Sequence, residues 1–244
     1  MNKRSMLWLI GAGTGAVLTG LCAGAAQAQA LTVLPVSIQM APGQQATTLT
    51  IINQGDKPTS VQVRGFNWIQ KDGADQLIPT ESLVRSPPLG TIPPGSSQVV
   101  RLVLRAPVTT KEGTYRVLLD QIPGPAEPGT VRLALRLSIP VFVEPVTRTA
   151  SHLSWRVQNS GAETYLVAVN DGTRHDMVRD IAVGSGGEGG MKVTAGSPYV
   201  LAGSTRRWLI TGIGHPLASG SSVRLTGIDN AGAIDQPVLV AANP

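Results

Sequence analysis

The residues able to do chemistry are few, and they do not converge on a catalytic pattern. The three histidines, His152, His175 and His215, are far apart. None has a carboxylate or cysteine at the spacing of a metal site, so each is expected to be a solvated loop or surface side chain. Gly184-Ser185-Gly186-Gly187-Glu188-Gly189 matches G-x-G-x-x-G. A dinucleotide site needs a helix directly after that run. Met191-Lys192-Val193-Thr194-Ala195-Gly196 is not one, so a hairpin loop is expected. No G-x-S-x-G nucleophile elbow occurs. Asp171-Gly172 lacks the acidic spacing of a calcium loop and reads as a turn. Glu112, Asp120 and Glu144 could group as carboxylates, but Arg116 lies among them. An ion-pair network, with Arg116 pairing Glu112 or Asp120, is the plainer reading. No catalytic activity, metal or cofactor is expected.

The chemistry that remains is that of a strand. Val131, Leu133, Leu135, Leu137, Ile139, Val141 and Val143 alternate without a break. Alternate side chains on a strand share a face, so these seven make one apolar stripe. At about 3.3 Å per residue the strand would run roughly 40 Å, about twice a usual strand. A strand that long either fills a sandwich core or outruns it. In the second case its free part offers apolar side chains to a strand of another protein.

The beginning of the chain reads as a secretion address. Lys3 and Arg4 precede an apolar, Gly-rich run from Met6 to about Leu21. Small residues then suit cleavage after Ala28 or Ala30. Gly11, Gly13, Gly15 and Gly20 dilute that run too far for a retained membrane helix. Leu21, directly before Cys22, argues against a lipid anchor. Residues 1–30 are therefore expected to be a cleaved signal peptide, and the sole cysteine leaves with them. An exported protein without a disulfide must be held by its core. The formal charge of +5 falls to about +3 without Lys3 and Arg4. That charge is scattered, and nucleic acid is not an expected partner.

Charged residues make up only 14% and aromatics 4%, with 28 Gly and 18 Pro, a profile of strands and turns. Strands are expected at 31–40 (interrupted by Pro35), 46–53, 60–70, 77–84, 98–105 and 114–122. The long strand follows. Lys71-Asp72-Gly73 reads as a hairpin loop. Ser86-Pro87-Pro88 and Ile92-Pro93-Pro94-Gly95 read as rigid connectors. These seven strands suit an immunoglobulin-like sandwich. Glu144 to Arg148 reads as a hinge. Beyond it, runs at 153–157, 163–170, 174–183, 191–193, 207–213, 223–229 and 237–241 suggest a second sandwich. Trp155, Val167, Val169, Trp208, Ile210, Leu225 and Ile228 are its expected core. The expectation is all-β, with two immunoglobulin-like domains at 31–147 and 148–244.

Several segments together resemble the periplasmic pilus-assembly chaperones of the chaperone–usher pathway (PapD-like). They are Leu-Thr-Ile-Ile-Asn at 49–53, Ser-Pro-Pro at 86–88, Ile-Pro-Pro-Gly at 92–95 and Val-Val-Arg-Leu at 99–102. Tyr-Arg-Val-Leu-Leu-Asp-Gln-Ile-Pro at 115–123 and Ile-Pro-Val-Phe-Val at 139–143 complete the set. The resemblance implies two domains in an L or boomerang and a periplasmic location. It implies that Val131, Leu133, Leu135 and Leu137 enter the groove of a pilus or fimbrial subunit, an incomplete sandwich lacking one strand. An outer-membrane usher would then receive the subunit.

Two departures from the family pattern stand out. The best-known members of the family hold the subunit's C-terminal carboxylate with an Arg in the first strand and a Lys late in the long strand. Ser37 and Pro140 stand there in this chain. Gln62 to Trp68 and Tyr115-Arg116 resemble instead the archaic branch, which makes Arg116 the first candidate anchor, with Arg136 and Arg64 behind it. Glu112 and Asp229 fall near the family's interdomain charge network, whose usual Arg aligns with Glu144. The exposed strand also predicts weak self-association. The rival reading is an exported two-domain binding or adhesion module whose long strand is ordinary core.

Overall fold

The computed structural model describes residues 31–124, 129, 133–147, 149–184, 191–193, 196–213 and 215–242. Within them every regular element is a strand. The first ten are β1 (Leu31–Leu34), β2 (Ile38–Met40), β3 (Ala46–Asn53), β4 (Thr59–Lys71) and β5 (Ala74–Pro79), then β6 (Leu83–Ser86), β7 (Leu89–Ile92), β8 (Ser97–Leu104), β9 (Gly113–Ile122) and β10 (Arg136–Val143). One sheet runs β1-β3-β8-β6; the other runs β2-β10-β9-β4-β5, with β7 also on β4.

Alternation explains the core between these sheets. Leu49 and Ile51 of β3 and Val100, Leu102 and Leu104 of β8 face Val61 and Val63 of β4, Val117 and Leu119 of β9, and Ile139, Val141 and Val143 of β10. Burying each such side chain contributes about 1.5–3 kcal/mol against the cost of ordering it.

Two expected strands are divided and one unexpected strand appears. The run 31–40 is two strands, because the chain leaves one sheet after Leu34 and joins the other at Ile38. Pro35, without an N–H, sits in that crossing. The run 77–84 is likewise split between β5 and β6, which lie in different sheets. Between the two proline connectors, Leu89–Ile92 pairs with the start of β4 as a short strand. The Asp72-Gly73 turn has φ of 56° and 79°, the left-handed pair that a two-residue hairpin demands.

The long strand is shorter than expected. Its regular pairing begins at Arg136, opposite Asp120, and ends at Val143, opposite Gly113. One further backbone bond, from Gln121 N–H to the Leu135 carbonyl (2.8 Å), carries the ladder to Leu135. Leu133 has no regular pairing. Val131 lies outside the described residues.

The second unit comprises β11 (Leu153–Ser160), β12 (Glu163–Asn170), β13 (Asp176–Met177), β14 (Arg179–Gly184), β15 (Met191–Val193), β16 (Tyr199–Val200), β17 (Ser204–Thr211), β18 (Ser222–Asp229) and β19 (Gly232–Ala241). Seven of these pair in a closed ring, β11-β12-β17-β15-β14-β18-β19. The parallel pairing of Val157 with Val240 and Gln158 with Ala241 joins its two ends. Closure removes the two end edges of this path of strands, whereas the sheets of the first unit stay open.

The expected core here needs correction. On β12 the side chains in the core are Leu166 and Ala168; Val167 is buried outside that cluster, and Val169 is half-exposed. Alternation fixes that one set faces inward but not which one when both are apolar. Ile228 is 38% exposed, since β18 outruns the core after Leu225. Trp208, Ile210 and Leu225 are core, with Trp155 packed on the outside of the cluster. Leu225→Ala is therefore expected to cost about 2–5 kcal/mol in urea unfolding, and Ile228→Ala less than about 0.5.

Candidate functional site

The stripe on β10 passes from core to solvent within four alternate residues. Ile139 is 3% exposed, Leu137 is partly buried against the core, Leu135 is 39% exposed and Leu133 is 90% exposed. The backbone changes with it. β9 covers one edge of β10 along its whole length. β2 covers the other only at Val141, Phe142 and Val143. Among the described residues no strand pairs with that second edge from Arg136 to Pro140. Exposed apolar side chains and unpaired main-chain groups thus coincide.

The opposite face of this sheet is polar near that edge and aromatic farther along. Asp120 of β9 takes two arginines. Arg64 Nη2 donates to Oδ2 at 2.7 Å, and Arg136 Nε donates to Oδ1. Burial alone would raise the Asp120 pKa, but the hydrogen bonds from Arg136 and Arg64 and their charges outweigh it and hold it below the usual value.

Arg116 pairs with neither Glu112 nor Asp120, contrary to the simplest sequence reading. Its guanidinium lies 3.7 Å from the Trp68 ring centroid and 5.7 Å from that of Tyr199. One Nη donates to the Ser138 carbonyl at 3.4 Å. Among the described residues it has no ion-pair partner. Burial pushes its pKa below the ordinary value, partly offset by Asp75 and Tyr199. Its strand neighbours are Pro140 on β10 and Phe66 on β4.

Beyond Arg116 the two units pack together. Trp68 and Phe142 are buried although they point away from the first core; Leu201 and Tyr199 of the second unit cover them. His175 stacks on Phe142 at 3.6 Å. The His175 backbone N–H and Nδ1–H both donate to Glu112 Oε2, at 2.8 and 2.7 Å. His175 is therefore an interface residue, where the sequence suggested a solvated one. Glu144 pairs with Arg174 at 3.0 Å. Asp229 instead caps its own turn, accepting from the N–H groups of Ala231 and Gly232. The charge network between the units thus exists with partners the sequence pattern did not indicate. Nothing in the local pattern around His175, which directly precedes β13, pointed to this role. A cleft of about 660 Å³ opens beside this junction, lined by Ser37, Gln39, Phe142, Arg174, His175 and Tyr199 among others.

The β4–β5 hairpin adds a second bridge. Gln70 Nε2 donates to the Tyr199 carbonyl (2.8 Å), and its Oε1 accepts from Leu201 N–H (2.9 Å). The Gly73 carbonyl accepts from Arg207 N–H (3.2 Å). A Cβ at Gly73 would come within 2.7 Å of the Arg207 side chain. Among the described residues no cluster of His, Cys, Asp and Glu could hold a metal ion, and no helix is long and apolar enough to cross a membrane.

Residues 30–149 match the family of pili and flagellar-assembly chaperones, PapD N-terminal domain. Residues 30–149 therefore carry the N-terminal domain of the pilus-assembly chaperones. Solved structures agree in fold over both units. The chaperone in a chaperone–tip adhesin complex of archaic Csu pili from Acinetobacter baumannii is 23% identical, with a TM-score of 0.67 over 87% of this chain and 98% of that one. SafB from Salmonella enterica, in complex with the SafA pilin, is 17% identical, with a TM-score of 0.59 over 89% and 99%. The E. coli chaperone DraB is 21% identical, with a TM-score of 0.54 over 88% and 97%. No curated protein matches the chain by sequence. Chaperones of this family work in the periplasm.

Two outcomes follow from this geometry. Because the Asp120 pKa is lowered in the folded chaperone, its contribution to stability is complete above the ordinary carboxylate value of 3.8 and lost as pH falls through the lower folded value. Wild type is expected to lose more stability than Asp120→Asn between about pH 4 and pH 2, read from urea midpoints. His175→Ala leaves the buried Glu112 carboxylate without its ring partner. It is expected to cost about 3–5 kcal/mol, a fall in Tm of order 10 °C by calorimetry.

Proposed function

We propose that this chaperone caps a pilus or fimbrial subunit by lending it the open edge of β10, and that Leu133, Leu135 and Leu137, with Val131 before them, fill the subunit's groove. The observation that carries this reading is the coincidence of the emerging leucine stripe with an unpaired stretch of β10. Strand addition uses both together: main-chain bonds along the edge and alternate side chains into pockets. Each leucine so buried contributes about 1.5–3 kcal/mol before ordering costs.

Arg116 is the proposed anchor of the subunit's C-terminal carboxylate. It neighbours Pro140, where the family pattern has a cation, and it carries a partly desolvated charge with no carboxylate on it. A carboxylate accepting both arms of the guanidinium would relieve that state. Arg136 and Arg64 already hold Asp120 and are secondary in this role. Residues 1–30 serve as the export signal, and the loaded chaperone passes its subunit to an outer-membrane usher. No covalent step is catalysed. The domain boundary is placed at 147/148, between the end of β10 and the start of β11.

The test is co-expression with candidate subunits and recovery through a C-terminal tag on the chaperone. Leu133→Glu/Leu135→Glu is expected to abolish recovery while the chaperone stays folded, and Arg116→Ala to reduce it at least about tenfold. Equal recovery by the double variant would refute the donor-strand assignment; equal recovery by Arg116→Ala would refute the anchor alone.

A further inference from the structure

The face of β10 opposite the leucine stripe has its own chemistry. Arg136 and Ser138 lie on it beside the open edge. Asp120 and Arg116 follow on β9, with Arg64 behind them on β4. Near the edge, two guanidinium groups, those of Arg64 and Arg136, face one carboxylate. Asp120 is already shared by Arg64 and Arg136, so it neutralises only one of the two. Arg136 is the more exposed of that pair, with 65% of its side chain in solvent against 37% for Arg64. It stands where regular pairing of β10 begins.

An added strand changes the surroundings of Arg136. Directly opposite residues on neighbouring strands bring their Cβ atoms to about 4.5–5.5 Å. A strand laid on the open edge therefore puts one row of side chains into the groove side, with the leucines, and the other row beside Arg136 and Ser138. Opposite charges across such a pair attract and like charges repel. We propose that this outward row of the incoming subunit strand is read by charge: Arg136, backed by Arg64, selects strands with an acidic side chain beside it and rejects those with a basic one. This rests on strand addition to β10 and adds a second selectivity to it. The leucine stripe recognises that a strand is apolar on one face, and Arg136 recognises what its other face carries. Arg136 then pairs with the subunit's carboxylate while Arg64 keeps Asp120, so both of these guanidinium groups are matched.

The experiment uses the full-length mature chaperone and three synthetic peptides of about ten residues. All three share the same alternating Val and Ile positions and the same free C-terminal carboxylate. The intervening positions are Glu, Ser or Lys. Binding is read by fluorescence anisotropy. The Glu peptide is expected to bind at least about fivefold tighter than the Lys peptide, with Ser between, and the gap is expected to shrink at high salt. Arg136→Gln should remove the Glu-over-Lys preference, Arg136→Lys should keep it, and Arg136→Glu should invert it. The ratio of Glu-peptide to Lys-peptide affinity is the readout in each variant, and far-UV circular dichroism reports that each is folded. Ser-peptide binding that depends on Leu135, without a Glu preference or with one that survives Arg136→Gln, overturns the proposal and leaves strand addition standing. Failure of every peptide to bind wild type overturns both.

Discussion

A strand edge must place every backbone N–H and carbonyl, in a ladder or in water. β10 meets that demand unevenly. One edge is taken by β9 throughout; the other is taken by β2 for only three residues. The remaining stretch stays wet. Most sandwiches blunt such an edge with charge, proline or a covering loop. Here Pro140 ends the exposed stretch where β2 begins, but Leu133 and Leu135 extend it with apolar side chains. The second unit shows the contrast, since its ring of strands closes through β11 and β19. The ring of the second unit closes on itself, while β10 of the first keeps a stretch of one edge unpaired among the described residues.

The same constraint organises the outer face of the sheet. Residues pointing away from a core are ordinarily solvated, yet Trp68 and Phe142 are buried because a second unit sits on them. Stacking of His175 on Phe142, the Glu112 pair and the Gln70 bridge join the two units from different strands. That packing stops short of the open edge. Toward Arg136 the face turns polar, and Arg116 marks the border, with its guanidinium over the Trp68 ring. The aromatic half holds the units together, and the charged half stays available beside the edge.

The features readable from sequence were those set by local periodicity. The stripe from Leu133 to Val143, the Asp72-Gly73 turn and the strands at 46–53 and 163–170 each declare themselves within a short window. What failed depended on where the core ends. Alternation placed Leu137, Leu135 and Leu133 on one face but could not say that regular pairing stops at Arg136. On β12 both faces are apolar, so Val167 and Val169 competed with Leu166 and Ala168 on equal terms. Long-range charge pairing was the least legible. Arg116, Glu112 and Asp120 are close in sequence, and proximity suggested a mutual network. In the fold, Glu112 is on the side of His175, 63 residues away, and Asp120 is bracketed from the two adjacent strands.

The substitution of Ser37 and Pro140 for two cations has a physical counterpart. Two point charges on separate strands hold a carboxylate only if both strands keep their spacing. One guanidinium fork can hold both oxygens by itself. Arg116 is held in place for such a fork, because its guanidinium lies over the Trp68 ring and donates a hydrogen bond to the Ser138 carbonyl. Pro140, its strand neighbour, has no side-chain charge to compete for the same ligand and no N–H to offer on either edge. The loss at Pro140 and the stacking of Arg116 are thus two halves of one arrangement. If Arg116 is the anchor proposed above, the cation sits one strand inward from Pro140, over a Trp68 ring that the second unit also covers.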